Sequence, residues 1–461
     1  MATAGHGSYL GIRTTARNSA SSQTATGARS RAGRLGCLVL CGVALACGGF
    51  LDARGAEPLT KPAKITFDEA GALVVDGQKV FPIALTIIPP PEAKAPDGKP
   101  AYAAFRDGGA LFMRTGGPHW DAARLETELQ YQEAAAKFGM RCCPWMGWDL
   151  CNIKPGNTKV EQQLRDIVSK LKDSPGMGLW KGADEPEWGK KSPEAVANSA
   201  RIIHELDPNH PIWLVQAPRG TVESLKRYDA GWDVGGIDIY PVSYPPGRHT
   251  IAANKDLSMV GDFTRMMRAA AGPKPFWMTL QIAFSGTTPP KGIIRFPTCH
   301  EERFMAYEAI INGSRGLTFF GGGLLPTLNA RDRELGWNWT YWERVLKPLL
   351  AEFRAGSPTE AALLAPDSRL ELKLAGVKGP NGEKNPDASV IEYLVREVGE
   401  DLYLFACKKE GPTIEVRFTG LPPSCGSGQV VFEEPRTVIA KAGSFADWFA
   451  PYDVHVYRFK K

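Results

Sequence analysis

The sequence has no Cys-x-x-Cys pair and no cysteine or histidine spacing of the zinc-ligand kind, so it offers no support for a structural metal. It has no glycine-rich phosphate loop and no Gly-x-Ser-x-Gly elbow, which argues against nucleotide chemistry and against a serine nucleophile. His300-Glu301 begins like the His-Glu-x-x-His of zinc proteases, but Phe304 stands where the second histidine would be. Net charge is also scarce. The chain carries 55 Lys and Arg against 50 Asp and Glu, and residues 1 to 56 hold six arginines and one aspartate, so the remainder balances at 49 to 49. Without a basic excess there is no footprint for nucleic acid and no polybasic membrane patch.

What is present begins with a leader. Arg13, Arg17, Arg29, Arg31 and Arg34 precede the apolar run Leu35 to Leu51, followed by small residues at "ALAC" (Ala44 to Cys47) or "ARGAE" (Ala53 to Glu57). This order reads as an export signal over residues 1–56, directing the chain to the periplasm or the exterior. The run is short for a membrane span, and no second one follows. A retained or lipid-anchored form is the alternative, although Ala44 occupies the place where a lipoprotein box has Leu. The three leader cysteines leave Cys142, Cys143, Cys151, Cys299, Cys407 and Cys425, whose pairing cannot be read from sequence.

From Phe81 to Phe320 short β-branched or aromatic runs alternate with amphipathic helical stretches. The runs are "FPIALTII", "ALFMRT", "RCCPWMGW", "GLWKGADEP", "PIWLVQA", "VGGIDIYPV", "PFWMTLQIAF" and "GLTFFGG". Eight such strands in about 240 residues predict a (β/α)8 barrel rather than an open doubly wound sheet. Val160, Leu164, Ile167 and Leu171 fall on one helical face, Ser192-Pro193 starts the helix after strand 4, and Gly139 closes the helix after strand 2. Thr298 and Glu301 form a capping box, with Glu302 expected to pair locally. Ahead of the barrel, "ITFDEAGALVVDGQKVFPI" turns at Gly71 and Asp76-Gly77 and predicts a hairpin under the barrel floor. From Pro358 alternating strands, such as "ASVIEYLVREV" and "TIEVRFTG", predict an antiparallel β-sandwich. The expected organisation is a leader over 1–56, a barrel with its hairpin over 57–355 and a sandwich over 356–461.

A barrel keeps its chemistry at the C-terminal ends of its strands. Those ends carry Arg114 after strand 2, Trp145, Trp148 and Asp149 after strand 3, Asp184 and Glu185 after strand 4, Gln216 after strand 5, Asp238 and Tyr240 on strand 6, and Gln281 on strand 7. The order resembles the TIM-barrel glycoside hydrolases in which an Asn-Glu-Pro tripeptide ends strand 4 with the acid/base and a Glu ends strand 7 as nucleophile. "VDGQKVFPI" resembles their opening strand, Arg114 their strand-2 arginine, Asp184-Glu185-Pro186 their tripeptide and "DIYP" their strand-6 aromatic. The resemblance implies a carbohydrate substrate and no cofactor.

Two departures limit it. Asp184 replaces the Asn, and Gln281 stands where the nucleophilic Glu should be. A neutral amide cannot attack an anomeric carbon, so the family's double displacement is not inherited with the fold. Glu185 remains the candidate acid, its pKa raised by burial and by like charge from Asp184 and Glu187. Asp238 and Asp149 are the candidate second carboxylates, and an inverting attack by water is the expected course. Arg114, Trp145, Trp148, Asp184, Gln216, Tyr240, Gln281 and Trp337 are candidate substrate contacts, the tryptophans because an aromatic face stacks on a sugar. The histidines, His119, His204, His210 and His249, sit in helix or loop contexts and are expected at the surface or at caps. The rival expectation is a barrel that binds glycan without cleaving it; a metal-assisted or lyase-type enzyme has little in the sequence to favour it.

Overall fold

The computed structural model describes residues 57–283, 295–324, 327–433 and 435–461; the expected leader over residues 1–56 lies outside them. Among the described residues, eight parallel strands form the barrel: Ile83–Leu85, Phe112–Gly116, Arg141–Trp145, Trp180–Asp184, Ile212–Val215, Gly235–Asp238, Phe276–Gln281 and Leu317–Phe320, numbered here as barrel strands 1 to 8. Their order in the sheet is 5-4-3-2-1-8-7-6. Strands 5 and 6 close the ring through bridges at Trp213–Val234 and Gln216–Ile237, with the Gln216 N–H donating to Gly236 O at 2.8 Å. The strands bury both faces, which is why they read as nearly continuous apolar runs.

The helices form where local chemistry starts and stops them. Thr158–Leu171 buries Leu164, Ile167, Val168 and Leu171 on one face, each worth about 1.5–3 kcal/mol of apolar burial. Ser192 Oγ caps Pro193–Leu206 by accepting from Ala195 N at 3.3 Å. Thr298 and Glu301 make the reciprocal capping box of Cys299–Ile311. After Ala122–Lys137 the chain reverses at Gly139 with φ +68°, a left-handed turn that glycine adopts without strain, and Met140 N donates back to Ala135 O at 3.0 Å.

The segment before the barrel is a three-stranded antiparallel meander, Ile65–Phe67, Leu73–Val75 and Gln78–Val80, one strand more than a hairpin. Ala63, Ile65 and Leu73 pack with Phe112, Leu179, Trp213, Val234 and Trp277 in one apolar cluster that fills the barrel floor. At the other end of the chain two antiparallel sheets form the sandwich. One pairs Lys373–Lys378, Ile414–Thr419 and Ser444–Phe449; the other orders Ile391–Val398, Asp401–Lys408, Val454–Lys460, Ser427–Val431 and Thr437–Ile439. Phe418, Phe445, Tyr457 and Phe459 fill the space between them.

The described residues make one compact unit. Tyr403, Phe405, Cys407, Val454 and Val456 of the sandwich belong to the same apolar cluster as the barrel helices. Arg303 on the helix Cys299–Ile311 bonds Glu352 at 2.9 Å and Val454 O at 2.7 Å, tying the last strand to the barrel. Among the described residues no helix is long and apolar enough to cross a membrane.

Candidate active site

A cavity of about 190 Å3 opens at the C-terminal ends of the strands, built from nearly every strand of the ring. Thr86 follows strand 1, Arg114 lies on strand 2, Lys181, Asp184 and Glu185 come from strand 4, Trp213 and Val215 from strand 5, Asp238 and Tyr240 from strand 6, Thr279 from strand 7 and Phe320 from strand 8. Five sequence candidates thus meet in one place: Arg114, Asp184, Glu185, Asp238 and Tyr240.

Strand 4 supplies the charged centre. Pairing between strands 4 and 5 shifts register between Lys181 and Asp184, an irregularity that lets two residues three apart line the same cavity, where strict alternation would send them to opposite faces. Lys181 Nζ donates to Asp184 Oδ1 at 3.0 Å and to Ala183 O at 3.1 Å, and Arg114 Nη2 stands 3.5 Å from Asp184 Oδ2. Burial alone would raise the Asp184 pKa, but the charges of Lys181 and Arg114 outweigh it and hold the carboxyl below its ordinary range. Burial pulls the Lys181 ammonium down, against the pull of Asp184. Arg114 is seated over the Trp145 ring, 4.7 Å from its centroid.

Glu185 follows in the left-handed region, φ +46°, with its N–H held by Val215 O at 2.7 Å. That conformation costs a non-glycine residue about 1 kcal/mol or more and persists because the surrounding strands fix it. The Glu185 side chain hydrogen-bonds Asp238. Burial first and the Asp184 charge second push Glu185 above the usual carboxylate range. Asp238 is pushed well above it, by burial and then by the charges of Glu185 and Asp184. Two carboxyls in contact, one buried and one half-buried, do not readily both ionise, so the pair holds a proton between them. Tyr240 also bonds Asp238 and stacks between His249, 4.4 Å away, and Phe320, 5.3 Å away.

Other candidates lie elsewhere. Asp149 is exposed on the short helical turn Gly147–Leu150, 3.8 Å from His119, and takes no part in the cavity. Gln281 is fully buried behind strand 6, its amide donating to Val242 O at 2.8 Å and accepting from Val242 N at 2.9 Å. Both of its polar atoms bond the backbone of Val242, and Gln281 does not line the cavity. Gln216 accepts from Glu187 N at 3.3 Å, which shapes the turn after Glu185. Trp337 has no exposed surface; it packs on Phe105 and Trp339 and donates to Ile87 O at 3.0 Å, so its ring is core and not a sugar platform. Trp145 is buried beneath Arg114, while Trp148 crosses it edge-on at 4.8 Å and remains exposed. His210 and His249 are buried, where surface or capping positions were expected: His210 bonds Asp207, the residue that ends the helix Pro193–Leu206, at 2.8 Å, and His249 faces Asp238.

Lys181 and His249 were the residues that sequence reasoning missed. Lys181 did leave a signal, a lone charge inside the apolar run "GLWKGA". His249 left none, because the loop that returns it to Asp238 has no periodicity.

The architecture is that of a TIM barrel as found in glycoside hydrolases. Solved structures sharing it include a glycoside hydrolase with 14% identity and TM-score 0.54, covering 86% of this chain and 97% of that one. A glycoside hydrolase family 5 protein from Bacteroides vulgatus shares 13% identity at TM-score 0.55, over 86% of this chain and 92% of the other. An alpha-amylase from Geobacillus thermoleovorans, complexed with acarbose, shares 10% identity at TM-score 0.51, over 83% and 100%. At these identities the likeness is one of fold. No protein-family model matches the chain, and no curated protein matches it in sequence.

Proposed function

We propose that the protein is a glycoside hydrolase in which Glu185 protonates the leaving glycosidic oxygen. The observation that carries this reading is the pair of half-buried Glu185 and buried Asp238 at the barrel mouth, which keeps a carboxylic proton available beside the ionised Asp184. Two carboxyls in different states within one site are what acid-catalysed glycoside cleavage requires. Asp184, fixed as an anion by Lys181 and Arg114, stabilises the positive charge that grows at the anomeric carbon. Asp238 is the group with which Glu185 shares that proton.

The same contact alters the expected stereochemistry. Inverting pairs stand about 6.5–9.5 Å apart and retaining pairs about 5–5.5 Å apart, on opposite sides of the scissile bond. Asp238, hydrogen-bonded to Glu185, cannot serve as the base across the ring, and Asp149 is outside the cavity. The ground for expecting inversion from either residue is therefore removed.

One observation favours a second reading, a barrel that binds glycan without cleaving it: among the described residues no carboxyl faces Glu185 across the cavity. Reducing-sugar release over a panel of polysaccharides, measured beside glycan-array binding, separates the two. Glu185→Gln is expected to lower kcat/KM on any cleaved substrate by about 100-fold or more. Full activity in that variant would overturn the assignment, and array binding with no release by the wild type would favour the binder.

A further inference from the structure

Glu185, Asp238 and His249 come from the end of strand 4, from strand 6 and from the loop beyond it, and offer one ligand atom each, all within 4.8 Å of one another. His249 Nε2 stands 3.9 Å from Asp238 Oδ2, and its ring is oriented by the stack on Tyr240. Asp238 is 7% exposed, yet its Oδ1 is sealed from solvent with no hydrogen-bond partner among the described residues. A buried carboxylate oxygen left in that state is costly unless a further group meets it.

Charge points the same way. Lys181 and Arg114 are both committed to Asp184, and Arg219 donates to His249 O at 3.2 Å and lies over Trp188. Among the described residues no Lys or Arg is paired with Glu185 or Asp238. His249 is buried at the same place, with its Nε2 turned toward Asp238.

We propose that Glu185, Asp238 and His249 form a binding site for one divalent cation of the zinc or manganese type. One imidazole nitrogen and two carboxylate oxygens suit those borderline ions, with water completing the coordination. Bonds of about 2.1 Å at tetrahedral angles set ligand atoms about 3.4 Å apart, so the three groups close by little more than 1 Å to grip the ion. The ion takes the place of the proton between the two carboxyls. With the ion bound, Glu185 is a ligand and cannot donate, so zinc inhibits the cleavage proposed above; that consequence rests on the hydrolase reading, whereas binding itself does not.

Calorimetric titration of the chelator-treated protein with zinc chloride tests the site whether or not the protein cleaves glycans. One ion per chain is expected, with affinity falling at least tenfold in His249→Ala and in Asp238→Asn. Zinc should also raise the Tm of the wild type and leave that of a folded His249→Gln variant unmoved. No zinc binding by the wild type, or binding equally tight in these variants, overturns the proposal. Absence of hydrolysis with zinc binding intact would remove the function proposed for Glu185 and leave the metal site standing.

Discussion

Lys181 and Asp184 show how much a single irregularity in a strand can decide. The Asp184-Glu185-Pro186 turn could be read from sequence because Pro186 ends the strand and the acids follow an apolar run. Lys181 could not be assigned to the cavity, because period-2 alternation separates it from Asp184 and only the register shift brings them to one face. Asp149 and Trp337 misled for a related reason. Two tryptophans beside an acid, and a dense aromatic run, fit a sugar subsite and a packed core equally well until burial is known. The ion pair at strand 4 has a measurable consequence. Lys181→Met leaves Asp184 with Arg114 alone, and it is expected to cost about 3 kcal/mol in urea unfolding, since breaking a buried pair strands its partner. Adding Asp184→Asn should return part of that loss.

At the scale of elements the sequence was far more legible. Each barrel strand lies within its apolar run except strand 2, which continues one residue further to Gly116, and the helices start where Ser192 and Thr298 can cap and stop where Gly139 can turn. Those signals are local, so they survive without knowledge of the fold. Contacts between elements were not legible, and Glu128 is an instance. It sits on Ala122–Lys137, reads as a surface acid, and is in fact buried, accepting from Thr115 Oγ1 at 2.7 Å and Gly116 N at 2.8 Å. It therefore anchors the end of the strand that carries Arg114. Burial raises its pKa from 4.5 to about 7, against the hydrogen bonds that favour the charge. A group that holds its proton more tightly when folded contributes fully below pH 4.5 and loses that contribution as pH rises to about 7. Glu128→Gln should flatten the fall in unfolding free energy across that window, as followed by urea titrations at successive pH values. An unchanged slope would show that Glu128 does not titrate there.

For the whole molecule, the apolar cluster shared by barrel and sandwich makes their folding a joint event. A chain ending at residue 366 would strip Tyr403, Phe405, Val454 and Val456 from the helix Cys299–Ile311 and leave Arg303 without Val454 O. It is expected to aggregate, while the chain through Lys461 should melt in one calorimetric transition. Two well-separated transitions would mean that the sandwich folds independently. At the opposite pole, the meander and its partners fill the barrel axis with Ile65, Leu73, Trp213 and Trp277. Among the described residues a floor closed in that way leaves the cavity open at the barrel mouth. No route runs along the barrel axis past that floor, so in the hydrolase proposed above a released sugar would leave by the same doorway that the next substrate must enter.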